Sequence, residues 1–162
     1  MKLLIIGYGG HGKVCGEIAG KTFEEVEYLD DNASEVIGRL DDYREHIDKF
    51  DFAFVAIGNT ELRECWIRKL RLAGIKIATI ISEKAVISKT ATIGEGSIVM
   101  GGAIVQTGAS VGCSSIVSAG AVIDHDAKVG NFCHINCNAV VSSGKIVPDK
   151  LKVNLNYSRN SI

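Results

Sequence analysis

Hydrophobic residues recur every six positions along the second half of this chain. Eleven consecutive positions in this phase carry only Ile or Val: Ile87, Ile93, Val99, Val105, Val111, Val117, Ile123, Val129, Ile135, Val141 and Val147. Four residues after each of the first nine lies a small side chain: Ala91, Ser97, Ala103, Ala109, Ser115, Ala121, Ala127, Cys133 and Ala139. A period of six fits neither an α-helix nor a plain alternating strand. It is the hexapeptide period of a parallel β-helix, with branched residues inside and small residues at the corners.

The repeat also predicts where the β-helix turns and where it ends. Three glycines recur at every third repeat: Gly94, Gly112 and Gly130. We expect them at tight turns, where a residue without Cβ is favoured. The repeat is expected to end after Val147, because Pro148 follows and residues 151–162 show no hexapeptide. The β-helix is therefore expected to be short at its C-terminus, where a solenoid needs a cap or a partner.

The N-terminal half has a different pattern, in which apolar stretches alternate with amphipathic ones. The pattern predicts strands at 3–6, 26–29, 52–57 and 76–81, and helices at 13–20, 41–49 and 60–73. The last helix is expected to start at the N-cap Thr60, to end at Gly74 and to bury one face, carrying Leu62, Trp66, Leu70 and Ala73. Alternating strands and helices predict a Rossmann-like parallel α/β sheet. We therefore expect two domains, 1–82 and 83–162.

Composition and charge exclude several classes of function. The hydrophobic content is 46% and the net charge is −1, so no surface for nucleic acid or for an acidic membrane is expected. The apolar run at 3–6 is too short for a signal sequence or a membrane span. Five cysteines without framework spacing indicate reduced thiols in the cytoplasm, with neither a disulfide framework nor a zinc site.

A glycine-rich turn follows the first predicted strand. Gly7, Gly9 and Gly12 fit the G-x-G-x-x-G pattern, and Asp30 follows the second predicted strand. In this motif, N–H groups at a helix N-terminus face a phosphate and the acid binds a ribose hydroxyl. Four strands supply only one mononucleotide-binding half, which favours a nucleotide sugar over NAD. Alternatively, the glycines only allow close helix–strand packing, and His11 is either an exposed loop residue or a ligand contact.

Two histidines lie in the repeat region. His125 is the third residue of the hexapeptide that begins at Ile123, so its side chain is expected to point outward between Asp124 and Asp126. An outward imidazole beside carboxylates could act as a general base near neutral pH. The spacing is equally compatible with a solvated histidine. A trimeric metalloenzyme, such as a γ-type carbonic anhydrase, would need three imidazoles, and the repeat offers only this one and His134.

These motifs together resemble the NeuD/PglD family of bacterial sugar acetyltransferases, over about residues 2–147. The resemblance rests on four segments: Leu-Ile-Ile-Gly-Tyr-Gly-Gly-His-Gly at 4–12, Tyr-Leu-Asp-Asp-Asn at 28–32, Ala-Ile-Gly-Asn at 56–59 with Arg63 following, and Ile-Asp-His-Asp at 123–126. It implies a left-handed β-helix, a homotrimer, acetyl-CoA as donor without a metal, and a nucleotide-activated or acidic sugar as acceptor.

The resemblance also implies the residues of the site. The sugar nucleotide would bind in the first domain, at Gly7, Gly9, Gly10, His11, Gly12, Asp30, Asp31, Gly58 and Asn59. His125 would be the general base for direct transfer, supported by Asp126, and His134 and Gly144 would contact acetyl-CoA. Members of the family usually continue for several more coils. The alternative is therefore a truncated, non-catalytic trimer that binds sugar nucleotides.

Overall fold

The computed structural model describes residues 1–157. This chain forms two compact units, of which the first is Met1–Ala78 and the second begins at Thr79. Each unit corresponds to one of the two sequence patterns.

The first unit is a four-stranded parallel sheet with helical segments between its strands. Its elements are β1 (Lys2–Ile6), α1 (Gly10–Ala19), β2 (Glu25–Leu29), a 3-10 turn at Leu40–Asp42, α2 (Tyr43–His46), a 3-10 turn at Ile47–Lys49, β3 (Phe52–Val55), α3 (Thr60–Leu72) and β4 (Lys76–Ile77). The strand order is β2-β1-β3-β4. Residues 3–6 of the central β1 are fully buried, which explains their continuous apolar run. The Rossmann-like sheet is confirmed.

Helix α3 has the predicted position but a different N-cap, and its predicted face is buried at Trp66 and Leu70 but not at Leu62 and Ala73. Its N-cap is Asn59, whose Oδ1 accepts a hydrogen bond from the N–H of Leu62 at 2.9 Å, and not Thr60. Leu62 is 54% exposed, whereas Arg63 is 1% exposed. The apolar period assigned the buried positions by side-chain type, but the guanidinium of Arg63 enters the interior because main-chain carbonyls accept its protons.

The strand predicted at 76–81 is in fact two strands in two different sheets. Strand β4 (Lys76–Ile77) pairs with β3, whereas β5 (Ile80–Ile81) pairs with the strand Ile98–Val99 of the second unit. Ile77 and Ile80 are both buried. The apolar run is therefore continuous although the chain leaves one sheet and enters another.

The second unit is a left-handed β-helix of two-residue strands. They are β5 (Ile80–Ile81), β6 (Val86–Ile87), β7 (Thr92–Ile93), β8 (Ile98–Val99), β9 (Ile104–Val105), β10 (Ser110–Val111), β11 (Ile116–Val117), β12 (Val122–Ile123), β13 (Lys128–Val129), β14 (His134–Ile135), β15 (Val140–Val141), β16 (Ile146–Val147), β17 (Lys152–Val153) and β18 (Asn156–Tyr157). They stack into sheet I (β5, β8, β11, β14, β17), sheet II (β6, β9, β12, β15, β18) and sheet III (β7, β10, β13, β16). All pairs are parallel, and residues one coil apart are 18 positions apart. The predicted fold class is confirmed.

The hexapeptide pattern fills the interior of the β-helix. Every in-phase Ile or Val from Val99 to Val147 is at most 3% exposed. The small residues from Ser97 to Ala139 are at most 1% exposed. Both structural positions of the repeat are therefore confirmed in these coils.

Two buried serines at one corner are satisfied by neighbouring coils. The Ser97 hydroxyl donates to the Gly112 carbonyl at 2.7 Å and accepts from the N–H of Ser115 at 2.9 Å. The Ser115 hydroxyl donates to the Gly130 carbonyl at 2.9 Å and accepts from the N–H of Cys133 at 3.0 Å. Since buried polar groups need partners, this ladder explains why serine is tolerated here.

The three recurrent glycines serve close packing of coils rather than the turn conformation that we expected. None of them has a positive φ. A Cβ on Gly94 would lie 2.6 Å from the amide nitrogen of Cys113, and a Cβ on Gly112 would lie 2.5 Å from the carbonyl carbon of Gly130. Adjacent backbones approach too closely at this corner for any side chain.

The β-helix continues beyond its expected end. Strand β17 pairs with β14, and β18 pairs with β15. Val153 is in phase with the repeat and is 5% exposed. Pro148 lies outside the strands, and its carbonyl accepts a hydrogen bond from the Cys133 thiol at 3.1 Å. The expectation that the repeat ends after Val147 is therefore wrong, because the β-helix continues at least to Tyr157. Residues 158–162 lie outside the described part of the chain.

Candidate active site

Two glycines of the first turn are required by packing. Gly7 has φ +104°, and its N–H donates to the carbonyl of Leu29 at 2.8 Å. A Cβ on Gly12 would overlap the carbonyl oxygen of Gly7. The interpretation that glycines allow helix–strand packing is therefore correct for Gly7 and Gly12.

Packing does not explain the other two glycines of the turn. Helix α1 starts at Gly10, with Gly9 as its N-cap. His11 and Gly12 therefore lie in its first turn, whereas we expected them in a loop before the helix. A Cβ on Gly9 or Gly10 would have no atom within 4 Å. The N–H groups of a first helical turn have no acceptor within the helix, and this end of the helix favours anions. The arrangement fits a phosphate group.

His11 is partly buried and electrically neutral. The Cys15 Sγ lies 3.6 Å from its Nε2. Burial, together with the positive charge of Arg63, lowers the pKa of His11 to about 4. The neutral imidazole offers one donor and one acceptor but no charge. The interpretation as an exposed loop residue is wrong.

The two carboxylates that follow β2 bind main-chain groups. Asp30 accepts hydrogen bonds from the N–H of Tyr8 and from the N–H of Asn32, both at 2.8 Å. The bond from Tyr8 is the main cause that lowers the pKa of Asp30. Asp31 accepts from the N–H of Leu40 at 3.1 Å. Asp30 therefore holds the glycine turn against the end of β2, and its role toward a ribose stays a prediction.

The turn between β3 and α3 is shaped by Arg63, which the periodicity missed. Its Nη1 donates to the carbonyls of Ile57 and Gly58, at 2.8 and 3.0 Å. A Cβ on Gly58 would meet nothing within 4 Å, and Asn59 caps the helix. The structure thus brings Gly58 and Asn59 to the carboxyl ends of the parallel strands, where α/β sheets bind ligands. The sequence signal for this contact was a basic residue, Arg63, in the first turn of a helix that follows a buried strand.

In the second unit, His125 and Asp126 form an exposed pair at a corner of the β-helix. They follow β12, and the His125 Nδ1 lies 2.9 Å from the Asp126 Oδ2. Asp124 Oδ1 accepts the backbone N–H of His125 at 2.8 Å. The hydrogen bond to Asp126, followed by the charge of Asp124, raises the pKa of His125 above its ordinary value. The outward direction predicted from the hexapeptide is confirmed.

The backbone around His125 is tied to the coils on both sides. The N–H of Gly144 donates to the His125 carbonyl at 3.0 Å, and the N–H of Asp126 donates to the Thr107 carbonyl at 3.0 Å. Gly144 is exposed, with φ +65° and no atom within 4 Å of a Cβ position. Gly144 therefore lies in the coil that follows His125 and is bonded to its main chain.

His134 lies on the outward side of β14 in sheet I. Its Nε2 lies 3.1 Å from the Oγ of Ser118, which is 3% exposed. His134 itself is partly buried. It lies on a different sheet from β12, the strand that precedes His125.

Three further observations bear on the function classes. Among residues 1–157, no group of three or more His, Cys, Asp or Glu side chains could hold a metal ion. No helix in the same range is both long and apolar enough to cross a membrane. The five cysteines are free thiols.

Comparison with known proteins matches the first unit to a family model and finds relatives of the longer chain. Residues 2–70 match the family model of the PglD N-terminal domain. A UDP-N-acetylbacillosamine N-acetyltransferase of Bacillus subtilis (strain 168) is 32% identical over 108 residues, which are 59% of this chain and 50% of the relative. The matched region thus spans about half the length of this curated relative.

Two solved structures resemble nearly the whole chain. The acetyltransferase domain of PglB from Neisseria gonorrhoeae FA1090, in complex with acetyl coenzyme A, is 28% identical with a TM-score of 0.75, covering 93% of this chain and 94% of that one. A variant of perosamine N-acetyltransferase from Caulobacter crescentus, in complex with CoA and GDP-perosamine, is 28% identical with a TM-score of 0.89. The match covers 97% of this chain and 81% of that one. The resemblance to the NeuD/PglD family of sugar acetyltransferases is therefore confirmed, by a PglD N-terminal domain at residues 2–70 and by the β-helix fold of these solved relatives.

Proposed function

We propose that this protein is an acetyl-CoA-dependent N-acetyltransferase that acts on a nucleotide-activated amino sugar, with His125 as its general base. The observation that carries the proposal is the exposed His125–Asp126 pair, in a chain whose first unit has a PglD-type glycine turn. The solved relatives support it, since one binds acetyl-CoA and another binds CoA with a GDP-sugar. The two relatives whose names state the position of transfer are N-acetyltransferases, and the third is described as an acetyltransferase domain.

The hydrogen bond to Asp126 selects the basic nitrogen of His125. An ionised carboxylate only accepts hydrogen bonds, so Nδ1 carries the proton that it donates to Oδ2. The lone pair of the neutral ring therefore lies on Nε2. The side chain is 59% exposed, so an acceptor can reach this nitrogen.

The reaction follows from this assignment. The acceptor amine attacks the thioester carbonyl carbon of acetyl-CoA while Nε2 of His125 takes the proton that the nitrogen loses. The tetrahedral intermediate then breaks its C–S bond, and the departing CoA thiolate takes the proton back from the imidazolium. Asp126 stabilises the imidazolium between the two transfers. No covalent enzyme intermediate is needed, because the acyl group arrives activated and both substrates are bound together.

The first unit would bind the nucleotide part of the acceptor. The diphosphate would lie on the first-turn N–H groups of α1, beside the open positions at Gly9 and Gly10. His11 would contribute a neutral donor or acceptor, since its pKa of about 4 keeps it uncharged. Gly58 and Asn59 would border the same carboxyl edge, and Asp30 and Asp31 would lie beside the ribose.

Acetyl-CoA would lie along the β-helix near His134 and Gly144. Gly144 is exposed and has no side chain, so it would offer acetyl-CoA an open backbone surface. Its N–H already donates to the His125 carbonyl. The Ser118 hydroxyl beside His134 would orient that imidazole toward the donor.

We further propose a homotrimer assembled through sheet II. Four outward β-branched side chains stack in register along this sheet: Val86, Ile104, Val122 and Val140. Val86 is 61% exposed. Of the four equivalent outward positions of sheet III, Thr92, Ser110 and Lys128 are polar and only Ile146 is apolar. A second copy of the chain is the occupant proposed for this apolar stripe, since end coils and flat faces of a solenoid are stabilised by neighbours.

The location proposed for the protein is the cytoplasm. Five free thiols, of which Cys65 and Cys137 are exposed, are maintained in a reducing compartment.

The test is an acetylation assay with acetyl-CoA and amino sugars activated by UDP or GDP. The acetylated sugar should be detected by mass spectrometry, because the exposed thiols of Cys65 and Cys137 would react with reagents that report free CoA. An acetylated product supports the proposal. Binding of nucleotide sugars without turnover would favour the non-catalytic alternative, and binding of NAD alone would contradict the nucleotide-sugar assignment.

A further inference from the structure

Asp126 adopts a backbone conformation that only a few residue types tolerate. Its φ is +60°, in the left-handed region where Asp and Asn are enriched among non-glycine residues. Its N–H is held by the carbonyl of Thr107, one coil earlier. This conformation places its Oδ2 within 2.9 Å of the Nδ1 of His125.

The other carboxylate oxygen of Asp126 lies against Gly108, one coil earlier. Gly108 has φ +69°, and its N–H donates to the Oγ1 of Thr90 at 3.0 Å. A Cβ on Gly108 would overlap the Asp126 Oδ1 and lie 3.5 Å from its Cγ. A side chain at this position and the present rotamer of Asp126 therefore exclude each other.

We propose that Gly108 is a positioning residue for His125, because its missing side chain leaves the space in which the Asp126 carboxylate reaches Nδ1. The inference about the imidazole stands on the geometry of these three residues. Its consequence for the rate rests on the proposed function.

The charges around His125 come from its own corner. The pKa of His125 is raised by the hydrogen bond to Asp126 and by the charge of Asp124. The positions one coil before and one coil after these three residues carry Gln106, Thr107, Gly108, Ser142, Ser143 and Gly144, none of which titrates. Displacing the Asp126 carboxylate should therefore lower the pKa of His125.

The chain contains a matched control at another corner. Gly120 has φ +70°, and a Cβ there would overlap the Oδ1 of Asn138, whose φ is +57°. The N–H of Asn138 is held by the carbonyl of Ala119 at 3.1 Å, as that of Asp126 is held by Thr107. Gly120→Ala thus introduces the same backbone strain and the same overlap, but away from His125.

The experiment is an NMR titration of the histidine ring protons in wild type, Gly108→Ala and Gly120→Ala, with His125→Gln to assign the His125 signal. We expect the pKa of His125 to fall in Gly108→Ala toward its ordinary value of about 6.5, and to stay at the wild-type value in Gly120→Ala. An unchanged pKa in Gly108→Ala, or an equal fall in Gly120→Ala, would overturn the proposal. Thermal unfolding should show a similar loss of stability in both variants.

Gly108→Asn serves if the alanine variant does not fold, because Asn tolerates a positive φ and still fills the space. Adding Gly108→Ala to an Asp126→Ala background should leave the His125 pKa where Asp126→Ala alone puts it; a further fall would also overturn the proposal. If the protein acetylates a sugar, the acidic limb of the Gly108→Ala rate profile should move to lower pH together with the NMR pKa. These titrations remain decisive even if no acetyltransferase activity is found.

Discussion

Asp126 accepts the Nδ1 proton of His125 across 2.9 Å although the two residues are neighbours in the chain. Successive side chains of an extended strand point to opposite faces, so a strand would keep these two apart. The left-handed φ of +60° at Asp126 turns its carboxylate back toward the preceding ring. The corner of the β-helix, and not the strand, therefore creates the candidate base.

His125→Ala should abolish most activity without unfolding the coil. The side chain fills no core position, and loss of a positioned base costs about 10²–10⁴ in rate. His134→Ala should mainly raise the KM for acetyl-CoA. Steady-state kinetics with circular dichroism as the folding control compare the two, and a His125→Ala variant with wild-type rates would make this histidine a bystander.

Asp126→Asn should shift the pH profile toward acid. Activity requires a neutral Nε2, so the rate falls as the pH drops through the His125 pKa, which Asp126 raises. Removing the carboxylate lowers that pKa, and the acidic limb of kcat/KM should move to lower pH while the maximal rate falls. Asp124→Asn, which removes a charge without a bond to the ring, should produce a smaller shift. A profile unaffected by either change would contradict this role for the pair.

Gly10→Ala and Gly12→Ala should separate binding from packing in the first unit. Gly10 has open space at its Cβ position, so Gly10→Ala should fold normally and weaken nucleotide-sugar binding. In Gly12→Ala the new methyl meets the Gly7 carbonyl, which should destabilise the unit by about 1–3 kcal/mol. Calorimetric binding and thermal unfolding measure the two effects. Unchanged affinity in a folded Gly10→Ala protein would remove the turn from the proposed site.

His11 should make the protein less stable in weak acid. Its pKa is about 6.5 in the unfolded chain and about 4 in the folded one. Between these values the unfolded state binds a proton that the folded state does not, so stability falls as the pH drops through this window and is fully retained above it. The loss reaches at most about 3 kcal/mol.

The measurement for His11 is thermal unfolding across this pH window in wild type and in His11→Gln. The variant should lose the His11 part of the acid destabilisation, and His46→Gln controls for removing a histidine elsewhere in the same unit. Equal pH dependence in wild type and His11→Gln would show that the buried imidazole does not resist protonation.

Ile104→Asp should dissociate the proposed trimer. A carboxylate in the apolar stripe of sheet II would lose its hydration on assembly without a partner. Ser110→Asp, at the equivalent outward position of sheet III, is the matched control and should leave the assembly intact. Sedimentation velocity at micromolar concentration distinguishes them, and a monomeric wild type would refute the trimer outright.

The β-helix could be predicted from the sequence because its interior repeats. A branched residue at every sixth position is buried only if the chain turns a corner once per repeat, so the period specifies both the strands and the corners. The repeat extends to Val153, but this one in-phase residue was too weak a signal, because Leu151 occupies the preceding small-residue position. The glycine motif after β1 could also be recognised, since backbone conformation and close approach are properties of glycine itself, but the helix begins at Gly10 and not at residue 13.

The contacts of the functional side chains depend on atoms that are far apart in the chain. Arg63 is buried because the carbonyls of Ile57 and Gly58 accept its protons, and no apolar period encodes such partners. The space for the Asp126 carboxylate is left by Gly108, one coil away. Periodicity assigns each side chain to the inside or the outside, and so it determined the fold and the outward direction of His125. Only the stacking of coils brought the Oδ2 of Asp126 to the Nδ1 of His125. A hydrogen bond needs a donor–acceptor distance correct to within a few tenths of an ångström, and hydrophobic spacing does not constrain distances so closely.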